Sequence, residues 1–165
     1  MNASLVSLAS LVDRYESMTP QVRVAAVVSR LGQILVVQHR KREQRYWVLP
    51  GGRLEAGETL TAALRRELQE ELSLKGQVGP LLAIYETLAP ERHTVNLAFR
   101  VEVSSAAPRI DASDEVLAAW RWMEVEQLRR IDFRPPLAQV LSEMVAEDFR
   151  GPVRLLGDTW TAADR

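Results

Sequence analysis

Three glutamates, Glu67, Glu70 and Glu71, stand at positions i, i+3 and i+4 of the chain. On a helix with 3.6 residues per turn, these positions share one face. Three like charges this close repel one another and destabilise the helix, so a bound cation would explain why they occur together. Carboxylate oxygens are hard ligands suited to Mg²⁺ or Mn²⁺. The spacing indicates a candidate divalent-metal site, with an ordinary solvated helix face as the alternative.

Residues beside the three glutamates extend this candidate site. Glu58 lies just before the helix, where it could reach the same cation or favour the positive N-terminal end of the helix. Arg66 adjoins the glutamates, and its guanidinium can orient a carboxylate through bidentate hydrogen bonds. Gly51 and Gly52 let the backbone turn tightly and approach a ligand closely. The carbonyl of Gly52 is therefore a candidate further oxygen ligand.

The elements that position these residues follow from the pattern of apolar side chains. A helix is predicted at 59–72, with a stripe of leucines rotated away from the carboxylate face. Another amphipathic helix is predicted at about 3–17, and its apolar face packs on the protein or forms a dimer contact. The remaining predicted elements are strands at 22–29, 34–38, 81–88, 95–103 and 119–123 and helices at 125–130 and 137–147.

Three segments lack a clear apolar period. The polar, basic stretch 39–45 is predicted to be a loop, and the polar stretch 104–114 is predicted to be another. The tail after Gly151 has no period and is expected to be partly loose. Because no linker, repeat or low-complexity tract interrupts the pattern, the chain is expected to form one domain over 1–165.

Composition excludes several classes of site. The 165 residues are 47% hydrophobic and 26% charged, as in a globular domain, and the formal net charge is -1, which does not favour nucleic-acid binding. There are no cysteines, so a disulfide scaffold, a thiolate zinc site and a cysteine nucleophile are excluded. The sequence shows no signal-peptide pattern and no apolar run long enough to span a bilayer. We therefore expect a cytoplasmic protein without a membrane partner.

The segment 52–74 resembles the Nudix box in nearly every constrained position. Gly52 is followed by five residues and Glu58, and seven more residues lead to Arg66. The pattern then continues as Arg-Glu-Leu-Gln-Glu-Glu-Leu-Ser-Leu. The one departure is Ser73, because the family has glycine there. Glycine is usual at a helix C-terminus since it tolerates the left-handed conformation, so Ser73 needs another cap geometry or accepts strain.

The resemblance to Nudix hydrolases implies a fold, a reaction and roles for residues. The expected fold is α/β, with a mixed β-sheet sandwiched between helices. The expected reaction is Mg²⁺-dependent hydrolysis of a phosphoanhydride bond, with Mn²⁺ as a substitute. The implied metal ligands are Glu58, Glu67, Glu70, Glu71 and Gly52. The implied catalytic residues are Arg66, Glu67, Glu70 and, as an acid from a loop beyond the box, Glu115.

The box does not select the groups attached to the diphosphate. The candidate substrate-binding residues are Arg40, Arg45, Trp47, Gly51 and Arg53. Pro90 lies sixteen residues after the box, as in ADP-ribose-cleaving members of the family, although a strand-end turn also explains it. The expected substrate is thus ADP-ribose or an ADP-sugar. The alternatives are a nucleoside triphosphate, including one with an oxidised base, and a non-catalytic domain that senses a nucleotide. A homodimer is compatible with the sequence but not required by it.

Overall fold

The computed structural model describes residues 19–41, 43–89, 92–104, 107–110 and 116–159. The predicted N-terminal helix at 3–17 lies outside the described residues, as do Pro90 and Glu115. None of the helices within the described ranges is long and apolar enough to cross a membrane.

The strands of the described residues form one mixed sheet. They are β1 (Gln21–Arg30), β2 (Gln33–Lys41), β3 (Gln44–Val48), β4 (Gly76–Ala89), β5 (Arg92–Val103), β6 (Leu117–Glu124) and β7 (Arg154–Asp158). Their order is β3-β2-β1-β5-β4-β7, and β6 pairs with β2. The β1–β5 and β4–β7 pairs are parallel, whereas the other pairs are antiparallel.

Helices cover both faces of this sheet. They are α1 (Leu60–Leu72), α2 (Val125–Leu128) and α3 (Ala138–Ala146). The strand β1 shows how the layers are built, because successive side chains of a strand point to opposite faces. Val24, Ala26 and Val28 pack in the core beneath α1, whereas Ala25 and Val27 pack in the core that contains α2 and α3. The predicted α/β fold, a mixed sheet between helices, is confirmed.

The helix α1 begins and packs as its sequence dictates. Thr59 caps the N-terminus, where its side-chain oxygen accepts a hydrogen bond from the Ala62 backbone N–H at 3.2 Å. Leu64, Leu68 and Leu72 lie four residues apart and are fully buried against the sheet. Each buried leucine contributes about 1.5–3 kcal/mol relative to an exposed one. This burial fixes the rotation of α1 and therefore the direction in which its glutamates point.

The segment that forms the turn before α1 occupies the position beside β1 that β2 takes only near the hairpin. The strands β1 and β2 pair only near their hairpin, at Ser29–Ile34 and Arg30–Gln33. Farther along β1, the partner is the segment 50–54: the Val24 N–H donates to the Gly52 carbonyl at 2.9 Å, and two similar bonds flank it. The β2–β3 hairpin therefore diverges from β1, and the glycine turn is fixed between β1 and α1.

One of the sequence predictions is wrong. The stretch 39–45 is not a loop, because β2 continues to Lys41 and β3 begins at Gln44, with Arg40 paired to Arg45. The tail after Gly151 includes a strand that the sequence did not predict, since 154–158 forms β7 and pairs with β4. The polar composition of both segments hid their strand character because each lies at an edge of the sheet.

Ser73 ends α1 in the left-handed conformation, with φ +53° and ψ +31°. Its N–H donates to the Gln69 carbonyl at 3.0 Å, and the Leu74 N–H donates to the Leu68 carbonyl at 3.1 Å. The last turn of the helix is thus capped as if glycine were present. The sequence left open whether Ser73 uses another cap geometry or accepts strain. Ser73 accepts strain, because its Cβ is unfavourable in the left-handed conformation.

Replacement of Ser73 by glycine should stabilise the fold. We expect Ser73→Gly to raise the free energy of unfolding by about 0.5–1 kcal/mol, since the relief of left-handed strain exceeds the added entropy of the unfolded chain. Urea denaturation measures this change. Ser73→Ala is the matched control, because it keeps Cβ and should give no such gain. Equal stability of the glycine and alanine variants would contradict the strain.

Candidate active site

Arg66 is the centre of the acidic cluster. Its Nε and Nη2 donate to the two carboxylate oxygens of Glu58 at 2.8 and 3.1 Å. Its Nη1 donates to Glu67 Oε1 at 2.9 Å and to Glu70 Oε2 at 3.1 Å. Its Nη2 also donates to the Arg53 carbonyl at 3.0 Å. One guanidinium therefore ties the loop before α1 to two carboxylates of the helix, in the bidentate manner that the sequence predicts for Arg66.

The glycine turn holds the fourth carboxylate. The Gly51 N–H donates to Glu71 Oε2 at 2.9 Å. Gly51 has φ +136°, and a Cβ there would lie 2.2 Å from the Val24 carbonyl oxygen, so a side chain cannot be accommodated. A Cβ on Gly52 would lie 2.1 Å from the carboxyl carbon of Glu67. The two glycines thus allow the backbone to lie directly against the carboxylates of α1.

The charges of the cluster are not balanced. The hydrogen bonds from Arg66 hold the pKa of Glu58 below its usual value and raise the pKa of Arg66 itself. Burial raises the pKa of Glu67, and the negative charges of Glu71 and Glu70 add to that effect against the hydrogen bond from Arg66. The one guanidinium bonds to three of the four box carboxylates, so the cluster keeps an excess of negative charge in a partly buried place.

The donor set fits a hard divalent cation. Glu67, Glu70 and Glu71 supply carboxylate oxygens, and an excess of buried negative charge is what a cation would compensate. Among the described residues, no three acidic or histidine side chains converge on one point, and Arg66 and the Gly51 N–H occupy oxygens of all three carboxylates. The Gly52 carbonyl accepts a bond from the Val24 N–H, and its second lone pair remains for a ligand.

A cleft of about 840 Å³ opens between β1 and the divergent β2–β3 hairpin. Gly51 and His39 lie on its wall and border the acidic cluster. The cationic and aromatic residues that line the cleft are Arg23, Lys41, Arg92, Arg134, Tyr46 and Tyr85. The cleft therefore brings positive charge and aromatic surface next to the carboxylates of α1.

Arg23 and Arg134 have different surroundings within the cleft. Arg23 Nη2 donates to the Gly51 carbonyl at 3.1 Å, and Arg23 forms no ion pair with any described residue. In contrast, Arg134 makes two hydrogen bonds of 2.7 Å to Asp132 and lies 4.7 Å from the ring centre of Tyr46. The charge of Arg23 is thus available to an anion. Arg134 instead stacks on Tyr46 and forms part of the wall of the cleft.

The predicted substrate-binding residues are only partly brought together. Gly51 lines the cleft. Trp47 does not line it and is 8% exposed, because alternation along β3 directs Tyr46 to the cleft and Trp47 into the core. Arg40 and Arg45 are exposed on the β2–β3 hairpin and do not line the cleft either. Arg53 is exposed, and its carbonyl contacts Arg66.

Two residues of the cleft that contact the box region, Arg23 and His39, were not predicted from the sequence. Arg23 lies in a β-branched strand, where its single charge interrupts an apolar run. That interruption was the available signal, because a charged residue in a half-buried strand needs a partner or an open cleft. His39 was assigned to a loop, so its position beside the acidic cluster could not be foreseen.

A family model described as the NUDIX domain matches residues 19–144, which include the glycine turn, α1 and the cleft. The chain belongs to the Nudix family. Its relatives are named as hydrolases, so the prediction of a Nudix hydrolase is confirmed at the level of the enzyme class.

Individual relatives agree with this membership. The chain is 30% identical over 141 residues to Phosphatase NudJ of Shigella boydii, and the match covers 84% of this chain and 92% of that protein. The solution structure of the E. coli ORF135 protein is similar, with a TM-score of 0.66 and 26% identity over 82% of this chain and 96% of that chain. A Nudix hydrolase from Nitrosomonas europaea has a TM-score of 0.68 and 27% identity over 81% of this chain and 93% of that one.

Gly52→Ala should inactivate this Nudix hydrolase without unfolding it. The new Cβ would overlap the carboxylate of Glu67, so that side chain must leave its place. We expect kcat/KM to fall about 100-fold, as for other misplaced catalytic groups. Gly79→Ala is the control, because the nearest heavy atom to its Cβ lies 3.3 Å away and outside the box. Unchanged activity of Gly52→Ala would show that the position of Glu67 does not matter.

The pairing of Glu58 with Arg66 should contribute to stability in a pH-dependent way. A carboxyl whose pKa is lowered by folding stabilises the protein above its unfolded pKa, and this contribution is lost as the pH falls through the folded pKa. Glu58→Gln should therefore lower the free energy of unfolding at neutral pH, and the difference from the native protein should shrink in acid. Denaturant titrations at neutral pH and in acid measure this difference in the free energy of unfolding. A difference that does not change with pH would argue against the ion pair.

Proposed function

We propose that this protein hydrolyses the pyrophosphate bond of a nucleoside diphosphate derivative, with Mg²⁺ as cofactor, Mn²⁺ as a substitute and ADP-ribose or an ADP-sugar as the leading substrate. The observation that carries the proposal is the group of four box carboxylates around Arg66 and Gly51, at the edge of a cleft that is lined by cationic side chains. Carboxylates for a cation and arginines for phosphates are the two requirements of phosphoanhydride hydrolysis.

The size and lining of the cleft support a substrate larger than a diphosphate alone. Small-molecule sites usually enclose about 300–1,000 Å³, and this cleft of about 840 Å³ lies near the upper end of that range. Tyr46 offers aromatic surface for a base, whereas Thr94 and Asn96 are buried polar residues of the lining. Room for a base, a diphosphate and a further polar group favours a nucleoside diphosphate derivative.

The residues of the box have separate roles in this proposal. Glu67, Glu70 and Glu71 would hold the cation, with Glu58 and the Gly52 carbonyl as weaker contributors, and the cation would neutralise phosphate charge and activate water. Arg66 orients the carboxylates that it contacts. Glu67, a carboxylate of the box, is one candidate to accept the proton of the attacking water. Glu115 is the other candidate.

Arg23 is the side chain that we assign to the phosphates, in addition to the arginines predicted from sequence. It points into the cleft next to Gly51 and has a neutral hydrogen-bond partner. A phosphate oxygen would supply the anionic partner that Arg23 lacks among the described residues. Lys41 lines the same cleft and could add a second positive charge.

Product release from a substrate panel tests the proposed reaction. The panel comprises ADP-ribose, ADP-sugars, dinucleotides and nucleoside triphosphates, each with Mg²⁺ or Mn²⁺. We expect AMP and ribose 5-phosphate from ADP-ribose, and we expect Glu70→Gln to lower kcat at least about 100-fold, because a ligand of the cation is lost. The side chain of Glu70 is 59% exposed, so this variant should keep its fold.

A matched control and two contrary outcomes complete this test. Glu102→Gln removes an exposed carboxylate on β5, outside the box, and should leave turnover unchanged. Turnover of triphosphates alone would refute the ADP-ribose assignment and keep the hydrolase. Nucleotide binding without turnover under either metal would refute catalysis and favour a nucleotide sensor.

The role of Arg23 is tested separately from the chemistry. Arg23→Gln should raise KM for the diphosphate substrate about tenfold and change kcat less, because the loss of a charged hydrogen bond weakens binding. Arg45→Gln is the comparison, since Arg45 lies on the exposed hairpin outside the cleft lining. A larger KM effect at Arg45 than at Arg23 would restore the assignment made from sequence.

A further inference from the structure

His39 places an unsatisfied nitrogen beside the acidic cluster. Its Nε2 is fully buried and has no hydrogen-bond partner, and no other buried side-chain nitrogen or oxygen among the described residues shares this condition. A buried polar atom without a partner destabilises the folded protein. Such an atom needs an explanation, and a ligand or a partner that approaches during function is one.

The backbone directs the ring of His39 toward the box. Successive side chains of β2 point to opposite faces of the sheet, and Leu35 and Val37 pack in the core beneath α1. His39 follows Val37 by two residues in the regular pairing with β3, so its side chain lies on the same face, toward α1. The ring is then supported by Tyr46, its partner on β3, at 5.7 Å between ring centres. The direction of His39 therefore results from backbone and packing, and not from a hydrogen bond of its own.

The nearest acceptor for His39 Nε2 is Glu71. Nε2 lies 3.8 Å from Glu71 Oε1, and both side chains are largely buried, with 16% and 13% of their areas exposed. The other oxygen, Oε2, already accepts the hydrogen bond from the Gly51 N–H at 2.9 Å. The carboxylate is thus held firmly from one side and faces an incomplete contact on the other. A movement of less than about 1 Å would bring the pair to normal hydrogen-bond distance.

We propose that His39 is a positioning residue that orients Glu71, by donating its Nε2–H to Glu71 Oε1 opposite the bond from Gly51. The proposal rests on the proposed function, because it takes Glu71 as a ligand of the cation. A neutral imidazole with its proton on Nε2 suffices for this role. The carboxylate held from both sides keeps the orientation that a ligand requires. Because hydrogen bonds in a site are often long before the substrate is bound, the 3.8 Å separation suits this role.

Two substitutions separate hydrogen bonding from packing. His39→Phe keeps an aromatic ring against Tyr46 but removes the donor, whereas His39→Gln removes the ring and keeps an amide N–H that can reach Glu71. Binding of Mn²⁺ alone, followed by electron paramagnetic resonance, reports on the carboxylates without turnover. We expect His39→Phe to weaken Mn²⁺ binding about tenfold, as for other groups that orient metal ligands, and His39→Gln to recover most of the loss.

A double-mutant cycle shows whether His39 acts through Glu71. Glu71→Gln should weaken Mn²⁺ binding by itself, and His39→Phe should then add no further loss, because residues in contact are not additive. In the kinetics, His39→Phe should lower kcat about tenfold and leave KM within about twofold. His93→Phe is the control, since His93 pairs with Glu86 on the far strands β4 and β5.

The outcomes distinguish this proposal from the proposed function. Native Mn²⁺ affinity in His39→Phe, or equal losses in the presence and absence of Glu71, would overturn the positioning role. Recovery of affinity by a ring without a donor would do the same, because it would assign His39 to packing. If the native protein binds Mn²⁺ and hydrolyses nothing, the proposed function fails, and the binding measurements still decide the role of His39.

Discussion

The repulsion between the glutamates of α1 is the constraint on which the site depends. Glu67, Glu70 and Glu71 are forced onto one face of a helix that is itself fixed by buried leucines. Arg66 offsets part of the repulsion by bonding to three box carboxylates, and the glycine turn supplies a further donor. These contacts do not neutralise the cluster, since four box carboxylates outnumber the one guanidinium. The fold therefore maintains a partly compensated negative site.

The sheet turns this local site into a place for a substrate. Because the glycine turn takes the position of β2 beside β1, the β2–β3 hairpin diverges and the cleft opens next to the carboxylates. The same divergence explains why Arg23 on β1 and Tyr46 on β3 face one cleft from opposite sides. The two cores on the faces of the sheet hold both walls, so the substrate side of the site rests mainly on strands.

Local features of the site could be predicted from the sequence, and nonlocal ones could not. The helix α1 and its acidic face follow from a 3.6-residue period, and the role of Arg66 follows from its neighbours. The fold class and the enzyme class followed from the box and are confirmed. Arg23 was missed because it reaches the turn through pairing between distant segments. His39 was missed because the end of its strand is polar and resembles a loop in sequence.

Binding of Mn²⁺ to the free protein tests the central claim most directly, namely that the clustered carboxylates form a cation site. The comparison is between the native chain and a variant in which Glu67, Glu70 and Glu71 are all replaced by glutamine, with circular dichroism to verify the fold. Saturable binding by the native protein and its loss in the variant would agree with this account. Equal binding by both proteins, or no binding by the native protein, would contradict it.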